Sequence, residues 1–127
     1  MIKIGLDVTI YMAKNRKQVL DEKFYQICKT GWVEDEDGVI DFEQPCEVYY
    51  ARKFWDLYEP MCVRLDLGNG EFSQPLTKDD IEEMIKIATH NPDYFGEFET
   101  VPALCKILQH YDEATAHGMV FIFEGDY

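Results

Sequence analysis

Serine is almost missing from this chain, with Ser73 the only one in 127 residues. No Gly-x-Ser-x-Gly turn surrounds it, so the strained elbow that exposes a serine nucleophile has no place here. Long apolar runs are missing too. The longest, Met119 to Phe123, falls far short of the roughly 20 residues needed to cross a bilayer. The opening, Met1 to Met12, carries Lys3 and Asp7 and lacks the charged start and cleavage site of a secretory leader, so a cytoplasmic location is expected. Cys28, Cys46, Cys62 and Cys105 form no Cys-x-x-Cys pair, which predicts reduced thiols buried as small hydrophobes. Internal repeats and low-complexity linkers are absent, and the length suits one domain over residues 1–127.

Bases are scarce. There are 12 against 25 acids, for a net charge of −13. The imbalance is also uneven: residues 1–33 hold six bases and three acids, whereas residues 34–127 hold six bases and 22 acids, a net −16. A field of that sign repels nucleic acid and anionic membranes and attracts basic protein surfaces or cations.

Apolar residues are plentiful enough to fold the chain, at 46% with 14% aromatic. Ile2, Ile4, Leu6, Val8 and Ile10 alternate as in a strand with one buried face. Val19, Leu20, Phe24, Ile27 and Cys28 predict a helix over 14–29. Trp32-Val33 and Val39-Ile40 flank Glu34-Asp35-Glu36-Asp37-Gly38, the pattern of a hairpin with an acidic tip. Residues 47–59 read as a helix stopped by Pro60, with a strand as the alternative because of their aromatics. Val63, Leu65 and Leu67 alternate with Arg64 and Asp66, and Gly68-Asn69-Gly70 would turn them back onto residues 71–74 as a second hairpin. Thr77 and Asp80 form a capping box ahead of the stripe Ile81, Met84, Ile85 and Ala88. Thr100 is placed to cap a last helix, with Pro102 in its first turn and Leu104, Ile107, Leu108 and Tyr111 inward, closing near Gly118. The run 119–124 suits a covered central strand. The fold expected is α+β, a small antiparallel or mixed sheet with two hairpins covered by three to four helices.

Few constellations in this chain carry chemistry. A cysteine nucleophile would need His90, His110 or His117 as its base, and no spacing favours any pairing. No cofactor and no metal is expected, since the Cys and His residues lack the short paired spacings of zinc sites. Asp35, Asp37, Gly38 and Asp41 match the interior of a calcium loop, but Val33 and Gln44 stand at its two ends, where the strongest ligands belong. Gly68-x-Gly70 reads as a turn rather than a phosphate cradle.

Gly5-Leu6-Asp7 followed by Tyr11, and Glu47-Val48-x-Tyr50-x-Arg52-Lys53, resemble two segments of a group of small bacteriophage and prophage proteins, as does the closing apolar strand. The likeness covers about a sixth of the chain, and Phe54-Trp55-Asp56 departs from it. The resemblance implies a phage setting, in which small acidic proteins that blunt host nucleic-acid enzymes recur; it implies no activity.

The expected function is therefore non-enzymatic. Glu34, Asp35, Glu36, Asp37, Asp41 and Glu43 at the hairpin, with Asp79, Glu82 and Glu83 on one helix face, would present spaced charge to a basic nucleic-acid-handling protein, as an anti-defence or anti-CRISPR-like inhibitor does. Trp32, Tyr49, Tyr50 and Trp55 would anchor such an interface or fill the core. The alternatives are a small metal-binding or carboxylate-based enzyme and an accessory phage protein whose acidity serves solubility alone.

Overall fold

The computed structural model describes residues 5–68, 71–92 and 99–127. Ile2, Ile4, Asn69 and Gly70 therefore lie outside the described residues. Five strands form one mixed sheet in the order β2-β3-β1-β5-β4. At its centre β1 (Asp7–Ala13) pairs antiparallel with β3 (Cys46–Arg52) and with β5 (Val120–Asp126). The edges are β2 (Lys29–Thr30), parallel to β3, and β4 (Ser73–Pro75), antiparallel to β5. This is the expected α+β class. The first strand continues past Ile10, because β5 pairs with it as far as Ala13.

Among the described residues five helices form rather than three or four, because the stretch 14–29 divides. Asn15 caps α1 (Arg16–Leu20) by accepting from the Gln18 N–H, and α2 (Phe24–Ile27) follows. Between them the Asp21 carboxylate accepts from the Lys23 N–H at 2.8 Å, a local turn that competes with helix. Only Val19 and Phe24 of the expected stripe are buried.

The expected helix over 47–59 is corrected by the sheet. Residues 46–52 are β3, and their alternation is hidden by a bulge: Ile10 faces Tyr49 but Tyr11 faces Glu47, leaving Val48 extra. Residues 63–67 are not a strand either, since α3 (Trp55–Arg64) runs through Pro60. Val63 is 84% exposed, so its alternation with Leu65 marked no buried face. After it Gly68 and Glu71 pair, each donating its N–H to the other's carbonyl, while the centre of the expected turn, Asn69-Gly70, lies outside the described residues.

The last two helices follow their signals closely. Thr77 and Asp80 close a reciprocal capping box on α4 (Lys78–Thr89). In α5 (Thr100–Ala116) the cap residue is Glu99 rather than Thr100. Its end is a Schellman motif: Gly118, at φ +78°, donates to Thr115 O and Met119 donates to Ala114 O, both at 2.9 Å.

The sheet has two unequal sides. On the first, Val8, Ile10, Met12, Phe121 and Phe123 pack under α3, α4 and α5. On the second, Ala13 and Ile122 meet Val19 and Phe24 beneath α1 and α2. Gly125 lets α3 approach, because a Cβ there would stand 2.7 Å from Tyr58 Cδ1. Among the described residues no helix is long and apolar enough to cross a membrane.

Candidate functional site

The acidic hairpin is built by two of its own carboxylates. Asp35 Oδ1 accepts from the N–H groups of Asp37 (2.8 Å) and Val39 (2.9 Å), and Gly38 takes the positive φ the reversal needs. Glu34 and Ile40 form a single antiparallel bridge. Asp41 Oδ1 likewise accepts from the Glu43 N–H at 3.0 Å. Asp35 and Asp41 thus shape the loop, each with its Oδ1 engaged by backbone donors.

Glu34 holds the hairpin to α5. Its carboxylate meets Lys106 Nζ at 2.8 Å, and the same ammonium lies 5.6 Å from the centre of the Trp32 ring. Trp32 packs on Phe121 and His110, and Phe42 stacks on His117 at 5.3 Å. These rings line up the stem of the hairpin along α5, beside a cleft of about 270 Å³ lined by Trp32, Val48, Ala103 and Lys106.

Glu36, Asp37 and Glu43 are left exposed, with no ion pair among the described residues. On α4, Asp79 and Glu82 are exposed, and half-buried Glu83 reaches Lys86 at 3.9 Å. The neighbouring Asp80 turns inward to Arg64 Nε at 2.6 Å and is structural. Both acidic segments are attached to α5, the hairpin through Glu34 and α4 by packing and the Lys78–Asp112 pair. Of the expected aromatic anchors, Tyr49 is core, while Trp32, Tyr50 and Trp55 are half-buried.

Two of the thiols, Cys28 and Cys46, do not suit nucleophilic work. Burial pushes Cys28 up to about 11 and Cys46 up to about 12, which suppresses the reactive thiolate. The expectation of burial holds for Cys46 alone: Cys28 and Cys62 are half-buried, and Cys105 stands exposed on α5, away from the face that buries Leu104 and Ile107. The described residues include no group of three or more His, Cys, Asp or Glu able to hold a metal.

No family model, curated protein or solved structure matches this chain. Gly5 to Asp7 and Glu47 to Lys53 are neighbours in space, one leading into β1 and the other in β3. Asp7 faces Arg52 across the ladder, Tyr50 donates its hydroxyl to Asp7 Oδ1 at 2.5 Å, and the Lys53 N–H donates to Leu6 O at 2.7 Å.

Sequence reasoning missed three features. Lys106 gave no local sign that it would meet Glu34, 72 positions away. The second face of the sheet carries Glu124 beside Asp126, where burial and then the Asp126 charge raise the Glu124 carboxyl above its ordinary range. The helices α1 and α2 expose Leu20, Tyr25 and Ile27 among lysines. The net positive charge of residues 1–33 was the available clue to the last of these.

Proposed function

We propose that this chain is a non-enzymatic, phage-type acidic protein that binds and inhibits a basic nucleic-acid-handling protein in the bacterial cytoplasm. In this reading it acts as an anti-defence or anti-CRISPR-like factor, with carboxylates standing where phosphates would. One observation carries the reading: residues 34–127 hold a net −16, and Glu36, Asp37, Glu43, Asp79 and Glu82 meet solvent without a paired base among the described residues. The hairpin and α4 hold those charges on ordered backbone, which limits the entropy lost when a basic groove closes on them.

The test is capture from a nuclease-treated bacterial lysate on immobilised protein. DNA- or RNA-binding enzymes should be retained at about 0.1 M salt, released at about 0.5 M, and displaced by a short DNA duplex. A variant carrying Glu36→Gln, Asp37→Asn, Glu43→Gln, Asp79→Asn, Glu82→Gln and Glu83→Gln should lose at least about tenfold in affinity for the captured enzyme. Retention indifferent to both salt and these substitutions would overturn the reading. A rise in melting temperature with micromolar calcium, magnesium or zinc would instead favour the metal-binding alternative.

A further inference from the structure

The helices α1 and α2 carry a surface on which exposed bases outnumber exposed acids. Val19 and Phe24 are the only buried residues of α1 and α2, and Leu20, Tyr25 and Ile27 are 56%, 75% and 47% exposed. Three of the seven exposed large hydrophobics among the described residues thus fall within eight consecutive positions. Scattered apolar residues on a surface are ordinary, but a group with a polar rim marks a contact site. The rim is mixed with an excess of bases: Lys14, Lys17, Lys23 and Lys29 are exposed, and so are Asp21 and Glu22 between them. Beside it opens a cavity of about 200 Å³ lined by Phe24, Tyr25, Cys28, Lys29 and Glu47.

The hairpin tip has the complementary composition. Val39 is 61% exposed there, flanked by exposed Glu36, Asp37 and Asp41. The patch rests on the second face of the sheet through Phe24 and Tyr11, whose rings are 5.3 Å apart, whereas the hairpin is bound to α5 on the first face through Trp32 and Glu34.

We propose that the basic, apolar patch on α1 and α2 receives the acidic hairpin tip of a second copy of this chain. Charge complementarity around an apolar centre selects that occupant. The contact joins two different surfaces, so each copy retains one free tip or one free patch, and assembly proceeds head to tail. Repulsion between copies of net charge −13 is screened beyond about 10 Å at 0.1 M salt, where charges in contact still attract. The inference does not rest on the inhibitory reading, and purified chain alone tests it.

Sedimentation of the wild-type protein at about 0.1 M salt should show mass rising with concentration, an effect lost at about 0.5 M. A patch variant (Lys17→Glu, Lys23→Glu, Tyr25→Ser) and a tip variant (Glu36→Lys, Asp37→Lys, Val39→Ser) should each be monomeric alone. Mixed in equal amounts they should give a dimer and nothing larger, because one supplies the intact tip and the other the intact patch. All six positions are exposed, and circular dichroism verifies that both variants fold; Tyr25→Ser alone is the milder substitute for the patch variant. A wild type that stays monomeric at millimolar concentration, or a mixture of folded variants that fails to dimerise, overturns the proposal. So does a monomeric wild type that binds vesicles rich in phosphatidylserine through Tyr25 and the lysines, which would assign the patch to an anionic lipid surface.

Discussion

The Asp80 carboxylate is buried, which raises its pKa, but hydrogen bonds from Thr77 and Arg64 and the guanidinium charge outweigh burial and hold it below its ordinary range. Its ionised form therefore stabilises the fold above the unfolded carboxyl value, and that contribution disappears as pH falls through the folded one. Asp80→Asn should lower the unfolding free energy at pH 7 by about 1 kcal/mol, the scale of a weakened helix cap, with the deficit narrowing below about pH 4 in urea melts. Glu124 behaves in the opposite sense. Burial and Asp126 raise it, so folding favours the neutral acid and stability declines as pH rises through the folded value. Glu124→Gln should raise the melting temperature at pH 7 and leave it nearly unchanged near pH 4. The capping box around Asp80 was legible from Thr77-x-x-Asp80 alone. Its Arg64 partner and the burial of Glu124 were not, because both depend on residues far along the chain.

At the scale of elements, Pro60 separates local propensity from packing. Proline lacks the N–H a helix interior requires, yet α3 continues through it because Leu57, Tyr58 and Met61 are buried in the main core on either side. Proline in a helix interior costs about 3 kcal/mol relative to alanine, and about 1 kcal/mol of that is offset by a stiffer unfolded chain. Pro60→Ala should therefore stabilise the protein by about 2 kcal/mol, read from the denaturant midpoint. The strand β3 has the converse history. Its residues suit either a helix or a strand, and pairing with β1 through a bulge decided the matter. Helices α4 and α5 carried their own start and stop signals and formed close to where those signals lie.

For the whole molecule, net charge sets a response that no single residue controls. Repulsion among 25 acids strains the compact state, and salt relieves it. The melting temperature should rise between about 0.05 and about 0.5 M sodium chloride in a thermal-shift assay, while the head-to-tail association weakens over the upper part of that range. The two trends have opposite signs, so one salt series distinguishes stabilisation of the monomer from loss of contact between copies.

What the sequence determined by itself was whatever depends on covalent neighbours: the sign and uneven placement of charge, the Asp-Gly reversal, the capping box of α4 and the glycine that ends α5. Each needs only a few consecutive residues to satisfy its backbone groups or its field. The tertiary structure alone decided the rest, including the strand order, the bulge at Val48 and the survival of α3 through Pro60. It also sorted the acids. Asp35 and Asp41 were taken up by loop amides, Asp80 by Thr77 and Arg64, and Glu34 by Lys106. Glu36, Asp37 and Glu82 were left to solvent. The physical reason is that a carboxylate's role depends on which donors reach it, and most of those donors arrive from other elements only when the chain folds.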